Sequence, residues 1–180
     1  MKRELDEELC RIAPHLFGDR HADMRTTALC WGFECGDGWY WLLREAAVEL
    51  EPLCKAEHDK YVHLEKKWYK HVRTALYWSN KIPGLFKPIY WLVMKLIPGL
   101  NNQFHWYGGG PRASQIKEKY GTLRFYMTHG TEEMYKIVDN AERKSLKTCE
   151  ECGKPGKLRG RGWYYTRCAA CWKRMQKESK

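Results

Sequence analysis

The sequence predicts an α+β protein: helices packed on a small antiparallel sheet, with a C-terminal zinc ribbon. Three observations predict it. Apolar residues recur at helical spacing in several stretches before residue 80. The stretch SQIKEKYGTLRFYM reads as two short strands around a tight turn. Two Cys-x2-Cys pairs, Cys149 with Cys152 and Cys168 with Cys171, have the spacing of a structural zinc site. The expected organisation is an α+β domain over 1–147, then the ribbon with a basic tail over 148–180.

Residues 2–17 read as a short amphipathic helix ending near Pro14. Asp37 reads as the cap of a helix starting at Gly38 or Trp39, with Trp39, Leu42, Leu43, Ala46 and Leu50 on one face. Pro52 suits the first turn of a second helix, whose stripe runs from Tyr61 through Trp68 to Leu76. The apolar segment 82–100 is bounded by two IPGL tetrapeptides and is too short to span a bilayer. It is expected as a buried helix, an oligomer contact or a membrane-surface helix. No longer apolar run exists, so no membrane span is expected.

In the hairpin, a turn at Tyr120-Gly121 sets Lys119 opposite Thr122, Glu118 opposite Leu123, Lys117 opposite Arg124 and Ile116 opposite Phe125. Ile116, Leu123, Phe125 and Met127 then share the core face. Gln115, Lys117, Lys119, Thr122, Arg124 and Tyr126 share the other. A one-residue slip scrambles this division, which is why the register is predicted. Such a short hairpin needs further strands, and residues near 28–34 and 103–107 are candidates. Thr131 reads as the cap of a helix reaching about Lys147, with Met134, Ile137, Val138 and Ala141 buried.

Two residues between ligands let a tight turn aim both sulfurs of a pair at one metal, and Gly153 suits a positive φ in that turn. Four thiolates fill a tetrahedral shell around Zn2+ and leave no position for water, so the metal is expected to be structural. About 30 residues cannot build a core alone, and zinc binding worth roughly 10–16 kcal/mol supplies the stability. Cys10, Cys30, Cys35 and Cys54 have no such spacing and read as core thiols; the alternative is a second metal at Cys30 and Cys35 with a nearby His.

Charge is uneven. Residues 1–60 carry 8 Lys and Arg against 13 Asp and Glu, while 61–180 carry 24 against 9. A basic half favours an anionic partner. The ribbon loop, KPGKLRGRGWYYTR, interleaves Arg159 and Arg161 with Trp163, Tyr164 and Tyr165, which suits phosphates with stacked bases and equally suits aromatics packed on the adjoining domain. Eight cysteines without a signal-peptide pattern point to a reducing compartment, where metal binding is expected over disulfides. There is no P-loop, G-x-S-x-G or H-E-x-x-H, and His58-Asp59 is a lone dipeptide, so no catalytic residue is assigned and a non-enzyme is expected.

CGDGW at 35–39, QIKEKYGTLRFY at 115–126, the AE-x2-S helix end at 141–145 and CEECGKPGKLR…GWYYTRCAAC at 149–171 together resemble a family of small uncharacterised bacteriophage proteins. The resemblance implies expression in bacterial host cytoplasm and raises host-takeover and anti-defence roles. It supplies no chemistry.

Three functions compete. The first is a non-catalytic binder of a phosphate-bearing nucleotide, such as a host immune signal, through Lys117, Lys119, Arg124 and Tyr126, with Arg159, Arg161 and Trp163 completing the pocket. The second is a zinc-ribbon DNA or RNA binder. The third is a protein inhibitor of a host enzyme that anchors through the apolar 82–100 segment and the aromatic surface. A homo-oligomer is compatible with the aromatic content.

Overall fold

The acidic residues Glu4 and Asp6 in the first turn of α1 (Arg3–Ile12) and Arg11 in the last match the helix dipole. The Ala13 amide closes on the Leu9 carbonyl, and Pro14 cannot extend the helix. In this computed structural model, residues 1–64, 88 and 110–178 are described. Two compact units are present, one formed by Met1–Lys55 with Pro111–Lys180 and the other by Ala56–Gly110. The cysteine module therefore belongs to the same unit as α1 and the sheet.

After α1, Leu16 and Phe17 turn into the core, where Phe17 meets the Phe33 ring edge-on at 5.0 Å. Glu51 fastens this turn by accepting from the His15 and Leu16 amides and from His15 Nδ1. Asp6 is buried, and its carboxylate takes a forked pair from Arg20, whose third nitrogen reaches the Cys30 carbonyl. A buried charge is tolerated because its partner and hydrogen bonds come with it.

The second helix, α2 (Tyr40–Leu64), differs from the sequence expectation. It is continuous through Pro52, where a second helix start is predicted. An interior proline costs about 3 kcal/mol. The turns before and after it are anchored, with Leu43, Ala46, Ala47, Leu50 and Cys54 all buried in the core. Those contacts outweigh the lost hydrogen bond. Asp37 also differs. It lies in a one-turn 3-10 helix (Asp37–Trp39) that starts after Gly36, and its carboxylate accepts from the Lys2 amide at 2.7 Å. Its acceptor capacity goes to the N-terminal segment, and α2 takes no cap from it.

The first sheet has the order β1-β2-β3, with β1 (Phe33–Glu34), β2 (Arg112–Lys119) and β3 (Thr122–Thr128). The β2–β3 register is the one the sequence predicts, residue for residue from Lys119–Thr122 to Ile116–Phe125. Gly121 takes φ 76 and Tyr120 φ 54, the left-handed pair a two-residue turn demands. The sheet is not purely antiparallel, since β1 pairs parallel to β2, with Phe33 beside Ile116 and Glu34 beside Lys117. Two residues show no alternation that reveals their direction.

Thr131 caps α3 (Glu132–Ser145) by accepting from the Met134 amide. The helix runs along the outer edge of β3. Ser145 Oγ accepts from the Leu123 amide at 3.0 Å and Glu142 from the Phe125 amide at 2.8 Å. These bonds satisfy edge groups that otherwise invite another strand. A second sheet pairs β4 (Lys157–Arg159) with β5 (Tyr165–Arg167), and α4 (Ala169–Glu178) follows. No helix among the described residues is long and apolar enough to cross a membrane. The predicted segment 82–100 and the strand near 103–107 lie outside the described residues, apart from Pro88.

Candidate metal centre and the surface beside it

The first cysteine pair is shaped by backbone bonds. The Gly153 amide donates to the Cys149 carbonyl at 2.9 Å, and the Cys149 amide to the Lys154 carbonyl at 2.8 Å. Gly153 adopts φ 72, as its place in the turn predicts. The second pair sits at the start of α4, where the Cys171 amide points at Cys168 Sγ at 3.4 Å. That donor pushes the Cys168 thiol down to about 6, toward thiolate. The four sulfurs of Cys149, Cys152, Cys168 and Cys171 lie within 4.8 Å of one another. Cys152 Sγ and Cys168 Sγ are 3.7 Å apart. Tetrahedral ligands at a Zn–S distance of about 2.3 Å stand about 3.8 Å apart, so the donor set fits one ion. The cluster can hold a metal ion, and it is the only such group of His, Cys, Asp or Glu among the described residues.

The CGDGW segment forms the floor under this turn. The Gly38 amide donates to the Glu150 carbonyl at 2.7 Å, and the Gly36 amide to the Glu150 carboxylate at 3.0 Å. Trp39 is fully buried, and its indole N–H reaches the Thr148 carbonyl at 2.8 Å. A Cβ on Gly38 would stand 2.6 Å from the Cys152 nitrogen and would overlap the Gly153 nitrogen as well. Only glycine permits this approach of two backbones. Burial raises the Glu150 carboxyl above its ordinary value, while Arg167 and the Gly36 amide oppose that shift. Arg174 brings its guanidinium to 3.8 Å from Cys171 Sγ and pairs with Glu151, placing positive charge beside the thiols.

A second attachment joins the hairpin to the cysteine module. Thr166 Oγ1, fully buried, donates to the Gly121 carbonyl at 2.6 Å. Gly121 itself presses on Leu158 and Tyr165.

The predicted ligand residues divide into two groups. Lys117, Lys119, Arg124 and Tyr126 do share the outer face of the hairpin, with Lys117 directly opposite Arg124. Lys117 Nζ stands 5.7 Å from the Tyr126 ring centre and Lys119 Nζ 5.6 Å from that of Tyr120. Arg124 is committed in part, at 3.4 Å from Glu142. Lys117 and Lys119 pair with no carboxylate among the described residues, and neither does Arg161. Arg159 turns its Nε to the Arg167 carbonyl. Arg161, Trp163 and Tyr164 are exposed at the loop between β4 and β5.

A cleft of about 550 Å³ near the cysteines is lined by other residues, among them Lys2, Asp37, Glu151, Arg167 and Arg174. Its cations already face its carboxylates. No protein-family model, curated protein or solved structure matches the chain.

Sequence reasoning missed the docking role of Gly36, Gly38 and Trp39, and the buried partners Glu150 and Thr166. A usable signal existed: two glycines bracketing Asp37, just ahead of a tryptophan, exceed what a single turn requires. The thiols Cys30 and Cys35 do not join a metal cluster among the described residues. Cys30 Sγ donates to the Thr27 carbonyl, and Cys35 is buried.

Proposed function

We propose that the protein is a non-catalytic zinc-ribbon protein that binds phosphate-bearing nucleic acid, with Zn2+ held by Cys149, Cys152, Cys168 and Cys171. The zinc assignment is supported by the all-sulfur donor set, which favours a soft or borderline ion and closes the shell against water. The nucleic-acid reading is carried by one observation: Lys117 and Lys119 stand beside exposed tyrosine rings, and they and the exposed Arg161 have no carboxylate partner among the described residues. A polyanion neutralises such a surface without needing an enclosing pocket. Two measurements test the reading. Elemental analysis is expected to return one zinc per chain. Binding to long nucleic acid is expected to weaken steeply with added salt. A chain purified without metal removes the ribbon, and a flat salt response removes the polyanion.

A second reading is a small anionic nucleotide, including a host immune signal sequestered by a phage protein. Its support is the placement of Lys117 directly across from Arg124, a spacing suited to one phosphate group. Arg124 then has to leave Glu142 or share it. Calorimetry with cyclic dinucleotides and adenosine-diphosphate-ribose compounds separates the two. Heat with these, and none with polymers, favours the nucleotide.

A further inference from the structure

Exposed aromatic residues flank the joint where the hairpin turn meets the cysteine module, and a further one, Tyr126, lies along β3 on the hairpin's outer face. Tyr120 is 69% exposed at the tip of the β2–β3 turn, and Trp163 is 72% exposed in the β4–β5 loop. Tyr164 and Tyr126 are each about 41% exposed. Rings of this size normally bury themselves, and a group of them in water marks a contact surface. The joint is held by direct contacts between the β2–β3 turn and the β4–β5 sheet. Gly121 packs on Leu158 and Tyr165, and the buried Thr166 hydroxyl is bonded to the Gly121 carbonyl. The turn that carries Tyr120 therefore adjoins the start of β5, and Trp163 and Tyr164 lie in the loop just before it, two residues and one residue ahead of Tyr165.

The charge around these rings selects the partner. From Lys154 to Arg167 the chain carries five Lys and Arg and no Asp or Glu. The hairpin's own acid, Glu118, is occupied by the Gly121 amide. Arg167 is paired with Glu150 and Glu151, but an apolar protein partner would leave the exposed cations, Arg161 among them, buried without a counter-charge. An anionic partner with flat faces satisfies both features together. Duplex nucleic acid offers phosphates but keeps its base faces stacked inside, out of reach of Tyr120 and Trp163. A single strand offers both, and base–aromatic stacking tolerates any sequence.

We infer that Tyr120, Trp163 and Tyr164 form a stacking platform for unpaired bases, with Lys119 and Arg161 on the adjoining phosphates, so that the preferred partner is single-stranded nucleic acid. This rests on the nucleic-acid reading above and specifies its substrate class.

The test is fluorescence anisotropy of the full zinc-loaded chain with a labelled single-stranded mixed-sequence 20-mer, its duplex and a mononucleotide. Single strand is expected to bind at least ten-fold tighter than duplex, and the mononucleotide weakest. Trp163→Ala and Tyr120→Ala are each expected to weaken single-strand binding roughly five-fold or more, and Trp163→Phe to restore most of it. Duplex binding is expected to stay within two-fold for these variants. Zinc content and thermal melting verify that each variant is folded; should an alanine variant fail that check, the comparison of the three ligands and the Trp163→Phe variant still decides. Equal binding of single strand and duplex, with aromatic variants unchanged, overturns the platform while the polyanion reading stands. No salt-sensitive binding to any of the three overturns both.

Discussion

Gly38 lies so close to Cys149 that a Cβ on it would overlap the Cys149 carbonyl oxygen. The contacts are backbone to backbone, so no side chain can swing aside. Gly38→Ala is expected to cost about 3 kcal/mol or more by forcing the turn off its floor. Gly162 provides the control. It has φ 84 but no atom within 4 Å of a Cβ, so Gly162→Ala is expected to cost only about 1–2 kcal/mol from backbone conformation. Urea unfolding of both variants checks the difference. Equal losses would show that the close approach of these two backbone segments adds nothing to the cost at Gly38.

Metal removal is expected to reach beyond the cysteines, because Trp39 is bonded to the Thr148 carbonyl immediately before the first ligand. Chelation, or Cys168→Ser, is expected to raise amide exchange at Gly36, Gly38 and Trp39 as well as across 149–171. Exchange confined to 149–171 would mean the floor is independent of the metal.

The Asp6–Arg20 pair is largely buried and doubly bonded, with Arg20 also serving the Cys30 carbonyl. Removing one partner strands the other charge. Arg20→Met is expected to cost about 3 kcal/mol. Asp6→Asn with Arg20→Met together is expected to cost less than the two single losses added. Additive losses in a double-mutant cycle would refute the coupling.

Cys54 is fully buried, and desolvation, helped by the nearby Glu51 charge, raises its thiol from 9.0 to about 12. Its folded value is above its unfolded value. The associated stability is therefore complete below pH 9 and is lost as pH rises through about 12. Cys54→Ala is expected to lower the melting temperature near neutrality by leaving a small void, yet to lose less between about pH 8 and pH 10.5 than the wild type. Parallel pH curves for the two proteins would contradict this.

Lys117 and Arg124 face the same way but are expected to behave differently. Lys117→Gln is expected to leave stability unchanged and to reduce the salt slope of nucleic-acid binding by about one. Arg124→Gln also removes the partner of Glu142, so it is expected to lower stability by up to about 1 kcal/mol. Chemical denaturation and salt titrations of both variants separate these effects.

How much of this was legible in the sequence depends on the range of the interaction. The β2–β3 register was readable because Ile116, Leu123 and Phe125 alternate with Lys117, Arg124 and Tyr126 over a two-residue turn. The clustering of the four cysteines was readable from ligand spacing alone. Pro52 misled because a local preference was overruled by Leu50 and Cys54, both held in the core. The parallel pairing of Phe33 with Ile116 and the claim of Glu142 on Arg124 depend on elements distant in sequence. The contact between Gly36 and Glu150 spans 114 residues, and no local pattern announces it.

That same separation constrains how the protein can be made. A ribosome adds about 5–20 residues per second, so the wait between Gly36 and Glu150 is on the order of 10 s. During that interval Trp39 has been synthesised but its acceptor, the Thr148 carbonyl, has not. The nascent N-terminal third must stay unaggregated until the last quarter of the chain emerges to cover it.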